Sequence, residues 1–368
     1  MLGDVINPVS VSRTRRRRRN SVVLKYVQQS LMGVIAFIVA ASLLSQIIPS
    51  PAIPSNVVFI GPKYDHYKVH KDDYNALFFG SSRVFNQIVP EAFDAAAKKE
   101  GVPVNSYNFG VPAMRVLDST VLLEQVLANP PENLKWVFFE SVLDKGYEPI
   151  PNARTHRAMY WHNWKNTKFA ARYILDSSES LPSKAVLLFS HLLPALYHQM
   201  NVGRLFNQVL PSEFSAREKY VASQFSQREG YFPLNEEDSP RRQTFLDSQD
   251  AYEARVQKLK KVTRDSDALT DPALSINKRR LLARITRVVR KAGAEPIFIE
   301  PPSLELEQDF KLAYRLGDVE TLLSYKDPAQ FPELYLPESR FDADHLNESA
   351  SLKFTRMLAE DFSEAIQE

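Results

Sequence analysis

Two short strings hold the residues best suited to chemistry. Leu77, Phe78, Phe79, Gly80, Ser81, Ser82, Arg83 reads as an apolar strand that ends at glycine and turns through two serines into a helix. Such a turn places a hydroxyl at a helix N-terminus, where unpaired backbone N–H groups and the helix dipole favour a developing negative charge. Gly-Ser-Ser is also a common plain turn, so this string alone does not define a site. The second string is Asp342, Ala343, Asp344, His345, Leu346, Asn347. Three-residue spacing lets a single turn bring Asp342 beside His345. Asp342 would then hold the imidazole Nδ1–H, while Nε2 takes a proton from Ser82 as its oxygen attacks a carbonyl. Asp344 is adjacent to the histidine, a poor position for orienting its ring, and receives no role. The alternatives are a surface Asp/His cluster with capping duties and a cation site, although one histidine among hard oxygens has no particular ligand spacing.

Elements of the right kind surround both strings. Strand candidates lie at Ala76 to Phe79, Val104 to Phe109, Trp136 to Phe139 and Pro296 to Ile299. Helical spacing links Val116 to Leu127 and Lys278 to Lys291, and Asn347 is placed to cap a last helix through Phe362. Strands alternating with helices predict an α/β domain with a mainly parallel sheet. Residues of about 142–272 break this rhythm and read as a largely helical insertion over the carboxyl edge, where open α/β sheets bind ligands. Lid, partner-binding surface and structural decoration are all open to it. Within it, His156, Arg157, Trp161, His162 and Trp164 can either stack on a sugar ring or pack the insertion against the sheet. Glu300, Pro301, Pro302 can line the cleft or simply turn the chain. His66, His70, His191 and His198 have no distinguishing partner spacing.

The chain of 368 residues has 44% hydrophobic and 24% charged residues, values that exclude wholesale disorder. Its net charge of +2 is unevenly spread. Residues 1–25 hold seven basic side chains against Asp4, including five consecutive arginines, which leaves 39 basic and 43 acidic groups in the body. A mildly acidic body argues against nucleic-acid partners, because phosphate neutralisation needs Lys and Arg on the folded surface. From Val27 to Ile48 no residue is charged, enough length to span a bilayer. The arginines predict a cytoplasmic N-terminus with everything beyond Pro49 outside. A cleaved signal peptide is the alternative, but its apolar run would normally be shorter. The expected organisation is therefore a basic tail (1–25), a transmembrane helix (26–48), a linker (49–73) and a folded domain (74–368). Cysteine is absent, so neither disulfides nor thiolate metal sites can form. No nucleotide loop, cofactor motif or credible metal site is present.

At this point the sequence resembles the SGNH/GDSL hydrolase superfamily. Gly80, Ser81, Ser82 stand where that family has Gly-Asp-Ser, Gly110 matches its glycine after the second strand, and Asp342 with His345 matches its last block. The resemblance covers about residues 74–141 and 293–368. It implies a flavodoxin-like three-layer sandwich, catalysis by Ser82, Asp342 and His345, and oxyanion donors at the amides of Ser82 and Gly110. One departure stands out. The family's third block supplies an asparagine, whereas here the third strand ends in Phe138, Phe139, Glu140, Ser141. Ser141, Asn108 or Arg115 can substitute as donor, and Glu140 can equally be a buried carboxylate that anchors a loop. Arg83, Arg115, His156 and Trp161 are the candidate substrate contacts. The Ser-Ser-Arg block and the membrane anchor are similar to the branch that accompanies cell-envelope acylation, including alginate O-acetylation and D-alanyl transfer proteins. That similarity implies an O-acyltransferase or esterase acting on an envelope polysaccharide beside a multi-span membrane O-acyltransferase, or a non-catalytic scaffold in the same setting.

Overall fold

The computed structural model describes residues 24–41, 43, 53–140, 142–143, 155–177, 179–200, 214–234, 240–270 and 273–367. Helix α1 (Leu24–Ala41) is long and apolar enough to cross a membrane, and almost none of it is buried. The arginine run and the Ile47–Ile48 end of the expected span lie outside the described residues. The expected linker contributes more than a tether. Helix α2 (Ile60–His70) lies within it, and Ile53, Val57, Ile60 and Tyr67 are buried in the core, so the folded body begins at Ile53.

The body then alternates as expected. In chain order come β1 (Ala76–Phe79), α3 (Ser82–Gln87), α4 (Pro90–Lys99), β2 (Ser106–Asn108), α5 (Val116–Val126) and β3 (Trp136–Phe139). The insertion supplies α6 (His156–Trp161), α7 (Trp164–Leu175), α8 (Leu181–Met200), α9 (Ala216–Ser223), α10 (Pro240–Leu246) and α11 (Gln249–Asp267). After it follow α12 (Ile276–Lys291), β4 (Glu295–Glu300), α13 (Asp309–Arg315), β5 (Leu322–Ser324) and α14 (Glu348–Ala365). The five strands form one parallel sheet in the order β2-β1-β3-β4-β5.

Alternation along the strands divides the core, because successive side chains point to opposite faces. Leu77, Phe79, Val137 and Phe139 face one cluster with α5 and α12. Phe78, Phe138, Ile297 and Ile299 face the other, with α4, α11 and α14. Burial on both faces explains why these strands read as unbroken apolar runs. The chain leaves β1 toward β2 on one side and returns to β3 on the other. Order reverses there, at the carboxyl ends of β1 and β3, the place where open α/β sheets bind ligands.

The insertion grips this framework at several places. Its segment Glu229–Phe232 runs along the outer edge of β2, where the Asn108 amide donates to the Glu229 carbonyl at 2.9 Å. Gly230 lies so close that a Cβ there would meet the Asn108 carbonyl at 2.2 Å, and its φ of +82° suits only glycine. Arg157 of α6 donates to the Pro112 carbonyl at 2.6 Å and faces the buried Asp118 carboxylate at 3.6 Å. Burial pushes the Asp118 carboxyl up to about 6, although Arg157 and Arg115 pull it the other way. Arg242 of α10 donates to the carbonyls of Arg340 and Phe341.

Candidate active site

The turn after β1 is built by exclusion of volume. A Cβ at Gly80 would lie 2.4 Å from a Val84 methyl and 2.6 Å from Glu140 Oε2, so glycine leaves room for the Val84 and Glu140 side chains to close over the turn. Ser81 is extended and caps α3, its side chain accepting from the Arg83 amide at 3.3 Å. Ser82 is thereby the first helical residue, a position whose N–H has no partner within the helix.

The second string forms a tight loop. Arg340 and Leu346 make an isolated antiparallel bridge, and the Phe341 amide donates to the His345 carbonyl at 2.9 Å. Inside the loop, Asp342 Oδ1 accepts from the amides of Asp344 at 2.8 Å and His345 at 2.9 Å. Asn347 caps α14 by accepting from the Ala350 amide at 2.9 Å. From below, buried Arg340 donates to the Ala343 carbonyl at 3.0 Å. Every turn of this loop is therefore fixed by a hydrogen bond.

These two pieces meet. His345 Nδ1 lies 2.9 and 3.0 Å from the two Asp342 carboxylate oxygens, and His345 Nε2 lies 2.7 Å from Ser82 Oγ. With Nδ1–H donating to the carboxylate, Nε2 carries a lone pair toward the serine hydroxyl. Burial by itself would raise the Asp342 carboxyl. The hydrogen bonds from His345 and the two amides outweigh it and hold the group below its ordinary value, so it is ionised at neutral pH.

Beside the serine sits a buried ion pair. Glu140, only 2% exposed, accepts from the Ser81 amide at 2.7 Å through Oε2 and from Arg83 Nε and Nη2 at 3.0 and 2.8 Å through Oε1. Arg83 also lies 3.9 Å from Glu305. Burial works against the guanidinium's charge, but Glu140 and Glu305 more than compensate and raise its pKa. Glu140 thus occupies the place after β3 as a loop anchor, one of the two roles open to it. The pairing with Arg83 is not readable from spacing, because 57 residues separate the partners.

Several expected contacts take different positions. The Gly110 amide does not face the cleft as an oxyanion donor, since it donates to Asn108 Oδ1 at 2.8 Å. Asn108 cannot substitute either, because its amide group donates to the carbonyls of Val84 at 2.7 Å and Ile88 at 2.8 Å. Arg115 starts α5, where both it and Arg157 act on Asp118. Trp161 is 1% exposed and packed in the core, ring against His162, so it offers no face to a sugar. His156 accepts from Asn56 at 3.4 Å, tying α6 to the start of the folded body. Glu300 turns toward β5, where Ser324 donates to it at 2.7 Å. Ser141 lies outside the described residues. Among the described residues, no group of three or more His, Asp or Glu side chains is arranged to hold a metal ion.

No protein-family model matches the sequence, and a search of curated proteins finds no match.

Proposed function

We propose that the chain is a membrane-anchored serine acyltransferase or esterase that takes part in O-acylation of a cell-envelope polysaccharide or related glycan. The observation that carries the reading is the unbroken relay from the Asp342 carboxylate through His345 to Ser82 Oγ. Ser82 Oγ attacks the acyl carbonyl of a donor ester while His345 Nε2 takes its proton. Collapse of the tetrahedral adduct returns that proton to the departing alcohol and leaves the acyl group on Ser82. An acceptor hydroxyl, or water, then attacks the acyl carbonyl as it loses its proton to His345; collapse breaks the acyl–Ser82 bond, returns that proton to Ser82 Oγ and carries the acyl group away. Asp342 stays ionised and balances the imidazolium in both halves. In this reading the amide of Ser82, at the helix start where N–H groups lack intrahelical partners, donates to the oxyanion. An oxyanion hole short of one donor costs about 10²- to 10³-fold in rate, which suits slow transfer between scarce envelope partners better than digestion.

Two further features support the wider setting. Strand order 2-1-3-4-5 is that of flavodoxin-like folds, and it puts the switch point between β1 and β3. This agrees with the resemblance to SGNH hydrolases. Helix α1 serves as a single membrane span, with the arginines holding the N-terminus in the cytoplasm of a bacterial cell and the body outside or in the periplasm. A second reading has its own observation. With the Gly110 amide and the Asn108 side chain both engaged internally, the fold can also serve as a glycan-binding scaffold for a multi-span membrane O-acyltransferase, or depend on such a partner to complete the site.

Fluorophosphonate labelling of the full chain in detergent separates these readings. Wild type is expected to label, and Ser82→Ala and His345→Ala, each with unchanged circular dichroism, to lose at least 10²-fold in labelling rate. Folded wild type that stays unlabelled would defeat the independent enzyme and favour the scaffold.

A further inference from the structure

Helices α7 and α8 form a hairpin whose outer surface is unlike the rest of the body. On α8, Leu181, Val186, Phe189 and Leu192 are 82%, 56%, 51% and 43% exposed. At 100° per residue they fall within one arc of the helix, while Ser190, His191, Pro194 and Ala195 fill the opposite, buried arc. Lys184, the one formally charged side chain on α8, is turned to the Leu175 carbonyl at 2.7 Å. At the near end of α7, Trp164 is exposed, and exposed Lys165, Lys168 and Arg172 follow along it. Lys165 lies 4.0 Å from Glu124, and Arg172 lines a cleft with Asn277 and Arg280 of α12. An exposed apolar helix arc on a hairpin that also carries an exposed tryptophan and lysine fits a membrane surface.

The position of the hairpin selects the occupant. Eleven residues separate Ala41, at the end of α1, from Ile53, where the folded body begins, and fully extended they reach only about 40 Å. The hairpin adjoins this starting point. Asn56 bonds His156 at the head of α6, and His198 of α8 bonds the Met159 carbonyl within α6 at 2.5 Å. Whatever surface α1 crosses, α7 and α8 are held near it.

We infer that the exposed arc of α8 rests in the phospholipid surface of the membrane that α1 spans. The body is then docked by a second contact and cannot tumble freely on its tether. The inference rests on α1 being a membrane span, but not on any role of Ser82.

The cysteine-free sequence allows a direct test. Single cysteines at Val34→Cys in α1, Val186→Cys and Phe189→Cys in α8, and Glu364→Cys in α14 are labelled with nitrobenzoxadiazole. The full chain is reconstituted in vesicles of phosphatidylethanolamine and phosphatidylglycerol, with circular dichroism confirming each fold. Glu364 is exposed on α14, which packs on the opposite face of the sheet. The expected result is blue-shifted emission, quenched by nitroxides on the lipid chains, at 34, 186 and 189, with water-like and unquenched emission at 364. Labels at 186 and 189 that behave like the one at 364 would overturn the inference while leaving the span intact. Emission that is blue-shifted there but insensitive to lipid nitroxides would also overturn it, because a protein surface then covers α8. If position 34 is itself unquenched, the span reading fails and the inference falls with it.

Discussion

The turns that leave β1 and β2 lie side by side, and each is held by a buried cation of a different kind. At the β1 turn, Arg83 meets a carboxylate that also takes the Ser81 amide, so charge is matched by charge in a fixed fork. At the β2 turn, Lys63 meets no carboxylate among its described contacts. Its Nζ donates to the carbonyls of Asn108 at 2.8 Å and Gly110 at 2.6 Å and lies 4.5 and 5.0 Å from the ring centres of Phe85 and Phe225. Burial holds the Lys63 pKa well below its ordinary value. The difference concerns what each turn must present. The first carries Ser82 at the start of α3, within 2.7 Å of His345, so it needs rigidity. The second folds its own amide back onto Asn108 and needs only closure.

The largest break should come at Glu140. Glu140→Ala strands the Arg83 charge in a buried place and releases the Ser81 amide, a change that costs about 3–5 kcal/mol. Urea unfolding should register that loss, and fluorophosphonate labelling of the remaining folded protein should fall with it. Neutralising both partners in Arg83→Gln with Glu140→Gln should recover most of the stability, because no uncompensated charge remains. Asn108→Ala comes next. It leaves the Val84 and Ile88 carbonyls and the Gly110 amide without their partner, for about 2–3 kcal/mol, while the Ser82 relay keeps its distances and labelling declines less than stability does. Lys63→Met is the mildest, at about 1–2 kcal/mol, and it sharpens the contrast through pH. Between the lowered folded pKa of Lys63 and its unfolded value of about 10.4, the unfolded chain binds more protons. Wild-type stability therefore gains a contribution as pH rises through that window, and the plot for Lys63→Met should lack it.

Much of this arrangement is visible in the sequence because it is local. Gly80-Ser81-Ser82 after an apolar strand, and Asp342 three residues before His345, are spacings that backbone geometry turns into positions. β1 and β3 are readable for a related reason: full burial demands apolar runs. β5 leaves no such mark, since Leu322–Ser324 is three residues long and half-buried. Helix α2 is hidden by its polar composition, and a buried lysine within it contradicts every compositional rule. Trp161 shows the converse. An aromatic beside two histidines resembles a sugar platform until the fold turns it inward. What separates the two classes is whether the partner lies within a turn of the chain or scores of residues away.

The contact between Asn108 and Glu229 bears on how the protein stays soluble. β2 is an outermost strand, and strands in that place are templates for pairing between molecules. Three residues of β2 offer little template, and the Glu229–Phe232 segment occupies part of it. The insertion is therefore a guard against self-association as well as an addition to the sheet. A shortened body lacking residues 142–272 would lose that cover and present an open strand beside the Gly80–Ser82 turn, inviting aggregation.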